Sequence, residues 1–250
     1  MNVNSYDKVY ENDRCGLKIL CLIPARSGSK SLPDKNIRNF RGKPLIAWSI
    51  EQAIKCRFNK NMRIIVSTDS SKYMNIAREY GAEVPFLRPS ALSQDYSTDY
   101  EFVNHAIQWL EENENYIPDV VLQLRPTQPL RKIQDIDNCI DLFIKNIDKY
   151  DSLRTVIELD KSPFKTHTID IQKNLLVPLF LKINDINEPY NQCRQYLPKS
   201  YLHNGYIDLF KTSILKNNTI SGKNIYPYVM NKEDCIDIDT LEDWNLALTK

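Results

Sequence analysis

Arg26, Ser27, Gly28, Ser29 and Lys30 follow an apolar run and stand between Pro24 and Pro33. Ser27, Gly28 and Ser29 have little or no side-chain bulk, so their backbone N–H groups can approach a ligand closely, while Arg26 and Lys30 bring two cationic heads to the same place. Small residues and cations together suit a polyphosphate. The stretch fits neither the P-loop pattern nor the glycine fingerprint of dinucleotide folds, and a solvated basic turn behind a strand is the competing reading. Far down the chain, Asp237 and Asp239 stand at alternate positions. On an extended segment that spacing turns both carboxylates to one face. Magnesium takes one or two carboxylates together with substrate phosphates, so the acid pair complements the cationic loop. The alternative is a solvated strand edge running into a helix N-terminus, where acids are favoured in any case.

Bringing residues 26–30 and 237–239 together requires a scaffold, and the hydrophobic patterning predicts one. Residues 18–23 read as a first strand, and Ile46, Ile50, Ala53 and Ile54 fall on one helical face behind Pro44. Arg63 to Thr68 is a β-branched run that fits a strand covered on both faces, and Asp69 and Ser70 are placed to cap the next helix, through about Tyr80. A third strand, Glu83 to Leu87, is expected to end at Arg88-Pro89. Phe102, Val103, Ala106, Ile107 and Leu110 mark a helix, and the run Val120 to Leu124 is a fourth strand delivering Arg125 to Arg131 at its carboxyl end. Strand and helix alternate through the helix of Ile133, Ile136, Ile140, Phe143 and Ile147. This predicts an α/β fold with a doubly wound, mostly parallel sheet and a site outside the strand carboxyl ends.

From Ser152 the pattern changes. One more strand is followed by short apolar runs without a long helix, which predicts an inserted hairpin or arm around residues 160–200, of a kind that pairs subunits. Asn204 to Phe210 and Tyr226 to Met230 read as later strands, and a last helix begins at Leu241 with Thr240 and Asp243 placed as a capping box. Residues 1–16 are polar and patternless and are expected to be a mobile leader, leaving 17–250 as a single domain.

Composition narrows the partners. Lys+Arg 33 against Asp+Glu 32 leaves a net charge of +1, so no whole-chain basic field points to nucleic acid. The opening residues lack the apolar core of a signal peptide and no later stretch is long and apolar enough to cross a membrane, so a cytoplasmic protein without membrane contact is expected. The 6 cysteines, Cys15, Cys21, Cys56, Cys139, Cys193 and Cys235, are scattered without metal-ligand spacing and are expected to be reduced thiols.

The order of residues is more telling than their composition. A strand running into PARSGSKSLPDKN, Pro24 to Asn36, and then GKPLI, Gly42 to Ile46, resembles the nucleotide-binding signature of the acylneuraminate cytidylyltransferase family. STD at Ser67 to Asp69, LRP at Leu87 to Pro89, and the segment Pro126 to Arg131 match further on. So do PFK ending at Lys165, the stretch from Arg194 to Gly205, and DIDT at Asp237 to Thr240. The resemblance implies a Rossmann-like nucleotidyltransferase that uses CTP and Mg2+ to activate a 3-deoxy-2-keto sugar acid, working as a homodimer paired by its arm. It assigns the nucleotide to Ala25, Arg26, Ser27, Gly28, Ser29, Lys30, Asn36 and Arg88, with Arg26 and Lys30 on the triphosphate and Asn36 on cytosine. It makes Asp237 and Asp239 the magnesium ligands, so catalysis rests on these two with Arg26 and Lys30. The sugar acid would meet Arg125, Thr127, Lys165, Arg194, Asn204 and Asp208, with Arg194 pairing with its carboxylate.

Two positions depart from the sialic-acid members. Arg125 stands where those often have glutamine, and Asp208 where they carry tyrosine; the aromatic pair they offer to an N-acyl group has no clear counterpart near Ile220 and Ser221. The identity of the acid is therefore open among sialic acid-like nonulosonates, Kdo, legionaminate and pseudaminate. A sugar nucleotidyltransferase using GTP or UTP, and a nucleotide sensor without catalysis, are the remaining alternatives.

Overall fold

The computed structural model describes residues 16–250; residues 1–15, which hold nearly all of the expected leader and Cys15, lie outside the described residues. Strands of four or more residues are β1 (Ile19–Pro24), β2 (Met62–Ser67), β3 (Val120–Gln123), β4 (Ser152–Glu158), β5 (His167–Asp170), β6 (Leu175–Pro178), β7 (Tyr201–Lys211) and β8 (Ile225–Met230). The helices are α1 (Leu45–Lys55), α2 (Ser71–Glu79), α3 (Asp99–Glu114), α4 (Ile133–Lys145) and α5 (Leu241–Thr249).

Six of the strands form one sheet in the order β8-β4-β7-β3-β1-β2. β1 pairs in parallel with both β2 and β3, and β8 in parallel with β4, while β7 runs antiparallel between β3 and β4. The doubly wound, mostly parallel sheet is thus present, with one reversed strand. Every residue from Ile19 to Ile23 is almost completely buried, because helices cover both faces, and only an unbroken apolar run fits such a position. Residues of α1 and α4 build the core on one face, with Ile46, Ile50, Ile136 and Phe143 among them; α3 supplies Phe102, Val103 and Leu110 to the other.

The expected third strand does not form. Glu83 makes a single bridge to Ile65, and residues 84–87 run on without a ladder. Pro85 has no N–H to donate, and the chain must drop towards the Thr68 carbonyl, which accepts from the Arg88 amide at 2.8 Å. The cap of α2 also differs from expectation. Ser70 alone caps it, accepting from the Tyr73 amide, and Asp69 is turned elsewhere. α3 and α5 each begin with a complete capping box, Thr98 with Glu101 and Thr240 with Asp243.

A third, smaller apolar cluster joins the two ends of the described chain. Leu32 and Phe40, from the loops behind β1, pack against Ile236, Ile238 and Trp244 near the end of the chain. Phe40 meets the edges of Trp48 and Trp244 at centroid distances of 5.9 and 5.4 Å. Arg41 adds a hydrogen bond of 2.8 Å to the Ala247 carbonyl of α5. This cluster fastens the carboxyl-terminal segment to the cationic loop.

The inserted arm is a pair of short antiparallel ladders, β5 with β6 and Lys182–Ile183 with Ile186–Asn187, with no long helix. Its apolar side chains face outwards: Ile169, Leu176 and Leu181 are all more than 60% exposed.

Candidate active site

The chain leaves β1 to form β2 on one side and later returns to form β3 on the other, so the carboxyl ends of β1 and β3 bound a crevice at the point where the winding reverses. Open α/β sheets bind ligands at such a point. The crevice holds about 210 Å³ and is lined by Arg26, Ser29, Lys35, Asn36, Arg88 and Thr127, with Asp99 and Arg125 on its far wall. A larger hollow of about 660 Å³ opens at the amino ends of the same strands, beside Leu17 and Pro118. It contains none of the candidate site residues read from the sequence, and we assign the chemistry to the smaller crevice.

The loop after β1 is held from several sides. The Ala25 amide extends the β1–β2 ladder to the Ser67 carbonyl at 2.9 Å. Ser27 donates its amide and its hydroxyl to the two oxygens of Asp69, both at 2.8 Å. Ser29 donates its amide to the Ser27 carbonyl. The expectation that the backbone of these small residues is open to a ligand is therefore corrected for Ser27 and Ser29, whose N–H groups are engaged within the chain. A Cβ at Gly28 would meet nothing within 4 Å, so no neighbouring atom in the chain demands glycine there. The cationic side chains are what the loop presents. Arg26 and Lys30 both pair with Asp95, the Arg26 contact at 2.8 Å.

Asn36 is buried and donates its side-chain amide to the Arg26 carbonyl at 3.0 Å, which fixes the loop and leaves its side-chain oxygen as an acceptor. Arg88 is 5% exposed, lies over the Phe102 ring and donates to the Ser67 carbonyl at 2.9 Å. Burial lowers its guanidinium to about 10. A cation held in this way, hydrogen-bonded to a carbonyl and desolvated, is relieved by an anion arriving from outside.

Asp237 and Asp239 do alternate with buried residues: Ile236 and Ile238 point into the third cluster and the two acids point out. No strand ladder holds this segment. The Ile238 amide instead donates to the Thr127 carbonyl at 2.8 Å, tying it to the loop after β3. Asp239 pairs with Lys35 at 2.8 Å, and its backbone carbonyl accepts from the Ser31 hydroxyl at 2.6 Å. The Asp237 carboxyl is raised, first by desolvation in the concave wall, against a hydrogen bond from Thr127, and further by the charge of Asp239. Its tip reaches solvent while its surroundings are protein, so accessibility and desolvation coexist. Two carboxylates that repel each other suit a divalent cation. Among the described residues no group of three or more His, Cys, Asp or Glu could hold a metal ion, so a cation on this pair would need further ligands from outside the chain.

The residues expected around the sugar acid divide. Arg125 donates to Asp208 at 2.5 Å and pairs with Asp99 through its other terminal nitrogen. Asp208 is fully buried and its second oxygen meets His203 Nε2 at 2.6 Å. Burial by itself would raise Asp208, but the His203 hydrogen bond and the Arg125 charge outweigh it and lower its carboxyl to about 2. The shift in register of β7 between His203 and Asp208 makes this meeting possible. Gly205, at φ +64°, admits the Arg125 side chain, since a Cβ there would lie 3.3 Å from Arg125 Cδ. Thr127 stands with Asp237 and not with these groups. Asn204 is committed to structure, accepting from Thr155 at 2.6 Å and from the Tyr206 amide at 3.1 Å and donating to Cys235 Sγ. Lys165 and Arg194 lie exposed in single turns of the arm, Pro163–Lys165 and Arg194–Tyr196, and neither lines the crevice.

The sequence reading left Lys35, Asp69, Asp95, Asp99 and His203 out of the site. Lys35 sits inside the opening signature beside Asn36 and could have been flagged as a third loop cation. Asp69 and Asp99 look like helix-start acids, a local role that hides a distant one. Asp95 lies in a polar loop with no periodicity to mark it.

Comparison with known proteins bears on the family and the fold. A family model described as Cytidylyltransferase matches residues 20–174. The chain is 35% identical to the CMP-N,N'-diacetyllegionaminic acid synthase of Legionella pneumophila over 92% of its own length and 95% of that protein. It is 32% identical to the N-acylneuraminate cytidylyltransferase of Escherichia coli over 93% of its own length, and spans about half, 52%, of that relative. The solved structure of CMP:2-keto-3-deoxy-manno-octonic acid synthetase complexed with CTP superposes with a TM-score of 0.65 at 16% identity, over 93% of this chain and 97% of that one, a likeness of fold. Signature, sheet winding, crevice and relatives converge, and the chain belongs to the acylneuraminate-type cytidylyltransferase family.

Proposed function

We propose that this protein joins the anomeric hydroxyl of a 3-deoxy-2-keto sugar acid, of the nonulosonate class, to the α-phosphorus of CTP. The anomeric oxygen forms the new P–O bond, the bond to the β-phosphate oxygen breaks, pyrophosphate leaves, and the hydroxyl proton passes to water. The observation that supports this reading is that residues two hundred positions apart come together beside the crevice: Lys35, which lines it, pairs with Asp239 of the acid pair.

In this reading Arg26, Lys30 and Lys35 bind and orient the triphosphate. Arg88 supplies a desolvated positive charge, and the Asn36 side-chain oxygen accepts from the exocyclic amine of cytosine. Asp237 and Asp239 hold Mg2+, which supplies charge neutralisation on the phosphate oxygens when bound. Arg125, held between Asp99 and Asp208, faces the acid with a polar wall where an aromatic one would favour an N-acyl methyl. The arm pairs two copies through its exposed apolar ladder, giving a homodimer. The reaction draws on CTP and belongs to the cytoplasm; no described helix is long and apolar enough to cross a membrane.

The test measures pyrophosphate release with each of the four nucleoside triphosphates, with and without chelator. The acids offered are N-acetylneuraminate, Kdn, Kdo, legionaminate and pseudaminate. CTP with at least one acid, dependent on a divalent cation, is the expected outcome. Equal rates with GTP, or full activity in chelator, overturn the assignment.

A further inference from the structure

We propose that Asp95 is a positioning residue that occupies the triphosphate's place between Arg26 and Lys30 and must be displaced when nucleotide binds; the proposal rests on the reading of the loop as a triphosphate site. Both loop cations converge on this one carboxylate, Arg26 through Oδ1 at 2.8 Å and Lys30 through Oδ2. Arg26 also lies 3.5 Å from the Ser93 carbonyl of the same loop. Asp95 belongs to the segment between Arg88 and α3, the segment whose Gln94 and Ser97 line the crevice, so it closes over the cations from the opposite wall.

Three features set this contact apart from an ordinary surface ion pair. A single carboxylate bridges two cations with one oxygen each, which is how a phosphate group would take them. The loop that carries it is tied independently: the Gln94 amide donates to Ser97 Oγ at 2.9 Å and the Gln94 side chain to the Ser90 carbonyl at 2.6 Å, so Asp95 can let go without the loop losing its shape. The neighbouring Tyr96 is 97% exposed and anchors nothing. Arg26 and Lys30 are thereby held in place and kept from repelling each other until nucleotide arrives. Binding then exchanges one anion for another.

The consequence is a brake on affinity that acts on substrate and on departing pyrophosphate alike. Asp95→Asn keeps the shape and removes the charge, so the cations no longer have to be freed before binding. An exposed ion pair contributes roughly 0.2–1 kcal/mol, and two of them correspond to roughly a two- to thirtyfold tightening. Titration calorimetry of the full chain with inorganic pyrophosphate and with CTP reads this directly. Expected are tighter pyrophosphate and CTP binding in Asp95→Asn, wild-type affinity in Asp95→Glu, and weaker binding in Arg26→Ala. In turnover, KM for CTP falls in Asp95→Asn and pyrophosphate becomes a stronger product inhibitor, a split that a merely structural role would not produce. If Arg26→Ala weakens pyrophosphate binding while Asp95→Asn leaves it unchanged or weaker, with an unaltered melting temperature, Asp95 is no place-holder and only this proposal falls. If pyrophosphate affinity is indifferent to Arg26 and Lys30, the reading of the loop falls and takes the proposal with it.

Discussion

Two regions of this chain carry cations suited to anionic partners, and they hold them in opposite ways. In and beside the crevice, Arg26, Lys30, Lys35 and Arg125 each meet a carboxylate of the same chain, on the segments that follow parallel strands. On the arm, Lys165 and Arg194 stand exposed among apolar side chains that also face outwards. The crevice is preorganised by its own fold, while the arm presents a surface that, on the proposed function, a second copy covers. On the two proposals, binding at the first exchanges partners and binding at the second drives assembly.

The sharpest way to break the contrast is at the acid pair. Asp237→Asn and Asp239→Asn should each lower turnover by about a thousandfold, the scale on which a metal's charge stabilisation acts, while leaving the fold intact. The two should differ in stability. Lys35 is mostly buried and loses its partner only in Asp239→Asn, so thermal unfolding should place that variant below Asp237→Asn. Near-normal rates for both in limiting magnesium would put the metal elsewhere.

Arg125→Gln and Arg194→Ala compare the regions directly. Arg125→Gln leaves the buried Asp208 with His203 and the more distant Arg154 as its cationic neighbours, a change of about 1–3 kcal/mol in stability, and should also alter which acid is preferred. Arg194→Ala, at a side chain exposed on the arm and outside the crevice, should move stability by about 0.5 kcal/mol or less and leave the ranking of acids unaltered. An unaltered ranking of acids in Arg125→Gln would show that Arg125 is structural and does not face the sugar.

The acid limb of the pH–stability curve sharpens the same point. The Asp208 carboxyl is lowered from 3.8 to about 2, so the stability it contributes is present above pH 3.8 and is lost as pH falls towards 2. The shift corresponds to about 2 kcal/mol, and urea melts between about pH 5 and pH 2 should show the loss. In Arg125→Gln the loss should begin at a higher pH.

The smallest expected change in fold stability lies on the arm. Leu176 is 67% exposed in the single chain, so Leu176→Glu should shift unfolding of the monomer by about 0.5 kcal/mol or less. If the proposed homodimer forms through the arm, sedimentation should show wild type as a dimer and Leu176→Glu as a monomer. A variant that stays dimeric would mean that the copies meet elsewhere.

Much of the fold was legible because its signals are local. The buried run of β1, the helical spacing of Ile46, Ile50 and Ala53, and the capping box at Thr240 and Asp243 depend on residues within a few positions of one another. The false strand at Glu83 to Leu87 fails for a reason also present locally, Pro85, which the apolar residues around it outweighed. The cations of the crevice could be read for the same reason as β1, since Arg26 and Lys30 sit beside the strand that aims them.

What the sequence by itself determined was the kind of residues on offer: a cationic loop at a strand end, an acid pair at alternate positions, and a winding that sets the loop at the carboxyl side of a sheet. Only the tertiary structure decided who meets whom. Lys35 finds Asp239, Arg125 finds Asp208 and Asp99, and Arg26 and Lys30 find Asp95, across 204, 83, 26 and more than 60 residues. An ion pair leaves no periodicity in the chain, because charge acts through space and any of many acids could serve. Which one does is fixed by packing elsewhere, here by Leu32, Phe40, Ile236, Ile238 and Trp244 closing one small apolar cluster.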